Sequence, residues 1–223
     1  MKKVILCIAM VVATMTSIPA QNVFFPVKEG TTLVYASLNA KGNVESYTRQ
    51  TVSKVEGNAS DMLISYLVQP LDKKQKPVDN TSANYAIKVR NGVIEYDMKS
   101  FTTPETAGVI EVEGDKLRLP SSISPGDKLD DVNFTLTIKV GFKIVTTISF
   151  TEQECLAVEN VTVPAGEFKC VKLTQTSSVT ALRRTVATKI LSWYAPGIGT
   201  VKTETYNDKG KLQSAVVLQS FEE

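Results

Sequence analysis

Across residues 132–140 every second position is apolar: Phe134, Leu136, Ile138 and Val140 alternate with Asn133, Thr135, Thr137 and Lys139. The next run repeats the rhythm, with Phe142, Ile144, Thr146, Ile148 and Phe150 set against Lys143, Thr147 and Ser149. A period of two sends one set of side chains to a core and the other to water, which predicts strands. If Val140-Gly141-Phe142 is a three-residue loop, Lys139 faces Lys143, Ile138 faces Ile144 and Phe134 faces Ile148. A two-residue loop sets Lys139 against Ile144 and mixes the faces, so the three-residue register is expected.

The same punctuation runs along the chain. Strand-like runs at 33–38 and 44–55 flank Ala40-Lys41-Gly42-Asn43, and the run at 62–68 leads into a Lys-rich exposed loop at 72–80. Runs at 85–89 and 93–98 flank Asn91-Gly92, whose two residues both tolerate the positive φ of a tight hairpin. Runs at 109–112 and 116–119 flank Gly114-Asp115. Runs at 190–194, 200–206 and 212–218 are separated by Pro196-Gly197 and Asn207-Asp208-Lys209-Gly210. No stretch sustains a helical stripe over three turns. About a dozen strands joined by tight turns predict an all-β antiparallel meander curled into a barrel, half-barrel or sandwich.

The first 20 residues break this pattern. Lys2 and Lys3 precede an apolar run at 4–15, too short to span a bilayer, and Ser17-Ile18-Pro19-Ala20 ends on a small residue. That order predicts a secretory signal peptide at 1–20, cleaved after Ala20, and a single β domain at 21–223. The exported protein is expected in the periplasm or secreted. No later segment has the roughly 18 apolar residues of a membrane span. Loss of the leader leaves 23 cations and 23 anions, a balance that argues against a nucleic-acid partner. The chain has no histidine, which closes the Ser-His-Asp, Cys-His and His-ligated metal chemistries. Cys155 and Cys170 remain after cleavage. In an oxidising compartment they favour a structural disulfide, with two free buried cysteines as the alternative.

Two segments also carry a resemblance. Val161-Thr162-Val163-Pro164-Ala165-Gly166-Glu167-Phe168 resembles the V-x-V-P-A-G-x-F signature of the TapB-like exported proteins of Bacteroidetes, and Trp193-Tyr194-Ala195-Pro196-Gly197-Ile198-Gly199-Thr200-Val201-Lys202 resembles their W-Y-A-x-G-x-G-x-V-K segment. Phe25-Pro26-Val27-Lys28-Glu29-Gly30-Thr31, Leu119-Pro120 and Pro125-Gly126-Asp127-Lys128-Leu129-Asp130 add to it. The resemblance implies a β-meander of the YmcC-like kind and an exported setting. It brings no catalytic residue, because that group has no established activity.

The remaining candidates are local. Asp127, Asp130 and Asp131 share a loop and are weak candidates for a cation, since their spacing lacks the Asp-x-Asp-x-Asp-Gly order of a calcium loop. Glu152 and Glu154 form an i, i+2 carboxylate pair, and Arg183-Arg184 an exposed basic pair. Phe24-Phe25-Pro26 is expected to tuck into an open end of the curled sheet. Trp193 and Tyr194, on adjacent strand positions, point to opposite faces and are the candidate ligand anchors. These features lead to an exported, non-enzymatic protein without a cofactor that binds a lipid, a glycan or a partner protein on a curved β-surface. A structural or assembly accessory of the cell envelope is the alternative, and a carboxylate-based hydrolase a remoter one.

Overall fold

The computed structural model describes residues 23–96, 109–139 and 141–223, so the leader lies outside the described residues. Among the described residues, thirteen strands form one antiparallel sheet. The first five are β1 (Thr32–Asn39), β2 (Val44–Asn58), β3 (Asp61–Leu71), β4 (Ala83–Arg90) and β5 (Val93–Tyr96). Two short strands follow, β6 (Ile110–Gly114) and β7 (Leu117–Pro120). The rest are β8 (Val132–Lys139), β9 (Lys143–Val163), β10 (Gly166–Ala181), β11 (Arg184–Ala195), β12 (Gly199–Asn207) and β13 (Leu212–Glu222). Among the described residues no helix is long and apolar enough to cross a membrane.

Local chemistry accounts for most of these turns. Asn91 and Gly92, both at positive φ, close the β4–β5 hairpin with Arg90 opposite Val93. The β8–β9 pair adopts the expected register, with Lys139 opposite Lys143, Ile138 opposite Ile144 and Phe134 opposite Ile148.

The order of strands departs from a simple meander. The sheet runs β6-β8-β9-β10-β11-β12-β13-β1-β2-β3-β4-β5-β7, so the first and last strands pair at its centre. The turn expected at Gly114-Asp115 does not join neighbours. There β6 pairs with β8 at one edge of the sheet and β7 with β5 at the other. Only Asp115 and Lys116 separate the two strands, and three Cα steps reach at most about 11 Å. The sheet therefore rolls until its edges nearly meet, without closing. The segment after β7 bridges the seam to β9: Gly126 N donates to Cys155 O at 2.8 Å, Cys155 N to Asp127 O at 2.9 Å and Leu129 N to Gln153 O at 3.0 Å.

Two apolar cores result. The first gathers Val52, Ile64, Ile87, Val89 and Ile94 with Cys155, Val171 and Leu173, and is capped by Val23, Phe24 and Phe25. The second gathers Leu33, Val163, Cys170, Trp193, Val201 and Leu218. At β10 they lie on opposite faces, because Val171 and Leu173 point into the first and Cys170 into the second. This corrects the expected Cys155–Cys170 disulfide. Cys155 stands opposite Leu173 and Cys170 opposite Glu159, so the two side chains leave opposite faces of the β9–β10 ribbon. Both are free, buried thiols. Burial raises the pKa of each, that of Cys170 to about 11. Thiol labelling of the chain without residues 1–20, denatured without reductant, is expected to count two thiols and almost none under native conditions. No labelled thiol after denaturation would mean that a bridge forms and the β9–β10 register is wrong.

Candidate functional site

The rolled interior contains a small cavity of about 180 Å³. Alternation on separate strands delivers its lining: Tyr35 from β1, Gln50 from β2, Tyr66 from β3 and Tyr96 from β5. The remaining wall is Phe24 and Phe25 of the N-terminal segment and Ile198, Gly199 and Thr200 of the β11–β12 turn. That turn fixes the N-terminal segment. Gly197 N donates to Val23 O at 2.8 Å, and Gly199 sits at φ +96° where an added Cβ would lie 3.1 Å from Phe24 O. Phe25 then packs tilted against Tyr66 at 5.2 Å between centroids and Phe24 tilted against Tyr194 at 6.0 Å. The segment fills the open end of the roll, as its apolar character predicts.

Burial, then the proximity of the other phenols, raises the pKa of Tyr35, Tyr66 and Tyr96, that of Tyr66 to about 12. These hydroxyls therefore stay protonated throughout the physiological range and remain free to donate. Tyr194, raised chiefly by burial, instead engages Ser192 and Thr200. The lining residues include no carboxylate and no cation, and burying an unpaired ion there would be costly. Phenol donors and one amide set among phenyl rings suit an uncharged molecule with oxygen acceptors and an apolar side.

Trp193 and Tyr194 do point to opposite faces, the first into the second core and the second against Phe24. Trp193 is not an open platform, being only 5% exposed. Its Nε1 donates to Glu159 Oε1 at 2.6 Å, and the ammonium groups of Lys172 and Lys202 stand 4.8 and 5.0 Å from its ring centroid. Lys172 pairs with Glu159 at 3.4 Å and Lys202 with Glu204 at 2.7 Å, and Tyr206 donates to Glu204 at 2.6 Å. The Trp193 hydrogen bond, then Lys172, holds the Glu159 carboxyl below the usual range. Burial pushes Glu204 up, but its bonds to Lys202 and Tyr206 outweigh that and leave it lowered. Two cations and two anions thus close a neutral lid over the indole. Val161, Val163, Ala165, Phe168 and Cys170 pack in the same core as Trp193 and Ala195, and Ala165 N reaches Leu218 O at 3.4 Å. The two motif segments singled out in the sequence are two sides of one packing unit.

The other candidates have structural engagements. Asp127 Oδ2 accepts from Ser124 N at 2.8 Å, while Asp130 and Asp131 line a charged groove along the open seam with Asp115, Lys116 and Arg118. Among the described residues no group of three or more His, Cys, Asp or Glu side chains is placed to hold a metal ion. Glu152 and Glu154 border a shallow groove beside Lys128 and Lys189, on one strand and not across a cleft. Glu152 sits in a bulge at φ 53° and accepts from Thr176 Oγ1 at 2.6 Å. Arg183 and Arg184 stand exposed at the β10–β11 turn.

An open, rolled all-β sheet of this order defines a YmcC-like fold. An exported protein from Bacteroides fragilis, so described and assigned a YmcC-like fold, superposes with a TM-score of 0.72 at 26% identity, over 91% of this chain and 100% of that one. A protein described as a lipoprotein, from Parabacteroides distasonis, gives 0.74 at 22% identity over 90% of this chain and 99% of that one. The chain belongs to the DUF3108-like family, whose model matches residues 28–218. No curated protein matches it. The resemblance to TapB-like proteins rests on the motif segments alone.

Proposed function

We propose that this is an exported, non-catalytic binding protein that takes one small uncharged molecule, a single sugar ring of a glycan, into the tyrosine-lined cavity. The observation that carries the reading is the convergence of three tyrosines, Tyr66 buried and Tyr35 and Tyr96 half-buried, around one small void. Polar groups that converge on a void set among phenyl rings mark a place where a ligand or ordered water completes their hydrogen bonding. The volume of about 180 Å³ is below the roughly 300–1,000 Å³ of pockets for drug-sized ligands. That favours a sugar ring, whose apolar face stacks on Phe24 or Phe25 and whose hydroxyls accept from the tyrosines, over a long acyl chain. The export descriptions of the two structural relatives and the resemblance to TapB-like proteins agree with a leader at 1–20. An assembly role through a free sheet edge has less support, because the edge strands β6 and β7 are short and lie close together across the seam.

The test is NMR titration of the exported protein with neutral monosaccharides, read at the tyrosine ring resonances. Saturable shifts at Tyr35, Tyr66 and Tyr96 are expected, with affinity flat through neutral pH. Tyr66→Phe removes one donor and keeps the ring, so affinity is expected to fall about fivefold to tenfold with near-UV circular dichroism unchanged. Absence of any saturable shift, or equal affinity in Tyr66→Phe and Tyr35→Phe, would remove the cavity from consideration. Chemical conversion of the sugar would overturn the non-catalytic part.

A further inference from the structure

Nine large apolar side chains are exposed among the described residues, and six of them gather at one end of the sheet. Phe142 (68% exposed) and Val145 belong to the β8–β9 hairpin, while Val179, Leu182 (78% exposed) and Val186 belong to the β10–β11 hairpin. Val109 joins them, since its carbonyl accepts from Lys139 N at 2.8 Å. The register sets the two tips side by side, with Thr146 of β9 opposite Ala181 at the end of β10.

The backbone of the second tip gives an independent sign. Leu182 and Arg183 lie at φ 49° and 63°, the double left-handed conformation of a two-residue hairpin turn. That turn favours Asn-Gly and disfavours side chains with bulk at Cβ. The same chain uses Asn91-Gly92 for the equivalent turn between β4 and β5. At the β10–β11 tip it carries an apolar residue and a cation instead, at the expense of local stability. Strain kept where no internal contact requires it points to an external task. Neither Leu182 nor Arg183 packs in either core.

Charge identifies the partner. Lys143, Arg183 and Arg184 are exposed at the two tips, and none of them forms an ion pair among the described residues. Glu111, which faces Thr137 near the same end, is already paired with Lys139. The end therefore presents protruding apolar tips ringed by three uncompensated cations. We infer that it docks on an anionic lipid bilayer, with Phe142 and Leu182 entering the acyl boundary while Lys143, Arg183 and Arg184 meet headgroup phosphates. The inference is independent of the cavity, which lies among β1, β2, β3 and β5.

Co-sedimentation with vesicles tests it. The exported protein is expected to bind phosphatidylglycerol–phosphatidylethanolamine vesicles, to release them as salt rises, and to leave pure phosphatidylcholine vesicles in solution. Each cation contributes about fivefold in affinity, so Lys143→Gln, Arg183→Gln and Arg184→Gln together reduce binding on the order of a hundredfold. The sharper variant is Leu182→Asn with Arg183→Gly, which installs the favoured turn. It is expected to melt at or above the wild-type temperature and still lose at least tenfold in vesicle affinity, so lost binding cannot be blamed on lost fold. Wild-type binding by that variant, or equal binding to neutral vesicles, would overturn the inference. So would a reversible dimer without vesicle binding that the same variant abolishes, since the occupant would then be a second copy of the chain.

Discussion

Trp193→Ala is expected to destabilise the protein by about 3–5 kcal/mol, the usual range for truncating a large buried aromatic side chain. The chain's single tryptophan is 5% exposed and sits at the meeting point of both motif segments. Its loss leaves a void bounded by Val163, Cys170, Ala195 and Val201, on a β-scaffold whose hydrogen bonds limit collapse into the space. It also removes the ring on which Lys172 and Lys202 rest and the donor that Glu159 accepts. In a domain of this size the melting temperature should fall by roughly 10 °C. Trp193→Phe keeps most of the apolar contact and loses the Nε1 hydrogen bond, so a smaller cost of about 1–2 kcal/mol is expected. Urea unfolding followed by far-UV circular dichroism measures both. Were Trp193→Ala to cost less than about 1 kcal/mol, well below the range for a buried tryptophan, the second core could not be the packing unit described here.

That core also shows which parts of the molecule were legible in the sequence. Local alternation and turn chemistry were enough for the β8–β9 register and for the Asn91-Gly92 hairpin, because both join consecutive strands across a short loop. The motif segments were visible as turns, but their mutual contact was not. Cys170 and residues 193–195 meet at the far end of the long β10–β11 ladder, where Val171 faces Tyr194 and Lys172 faces Trp193, and Ala165 reaches Leu218 only because the β9–β10 tip approaches β13. The strands around Gly114-Asp115 misled for a similar reason. A Gly-Asp pair between two short apolar runs reads as a hairpin, whereas here it carries the chain from one edge of a rolled sheet to the other, a choice made by sheet curvature. The disulfide expectation failed on parity: β10 separates Cys170 from Leu173, the partner of Cys155, by an odd number of positions, which sends the two thiols to opposite faces. Of the candidate site, Phe24 and Phe25 were legible as an apolar plug. Tyr35, Gln50, Tyr66 and Tyr96 were not, because each lies alone on its own strand and their convergence is a product of the roll. The exposed tips left a readable trace, since Phe142 and Leu182-Arg183 occupy turn positions where polar or small residues are the rule.

Phe25→Ala is expected to produce the second large loss, about 3–5 kcal/mol, and to act on both cavity and fold. Phe25 is buried in the first core, packs tilted against Tyr66 and forms part of the cavity wall. Removing its ring merges the space it vacates with the existing cavity, so the structure has little nearby volume with which to relax. The upper part of the range should apply, because cost rises with the volume left unfilled. Phe25→Leu restores much of that volume and is expected to recover more than half of the stability, while losing the ring–ring contact with Tyr66. A further consequence follows for the backbone. With Phe25 gone, the hydrogen bond from Gly197 N to Val23 O and the close approach of Phe24 O to Gly199 hold the segment with less apolar support. Amide exchange at Gly197 should therefore accelerate in Phe25→Ala relative to amides in the β9–β10 ladder. Chemical denaturation gives the magnitude, and exchange measured by NMR locates it. A loss below about 1 kcal/mol, under the typical cost of emptying a buried aromatic site, with Gly197 exchange unchanged, would show that the N-terminal segment is a bystander and not the plug of the roll.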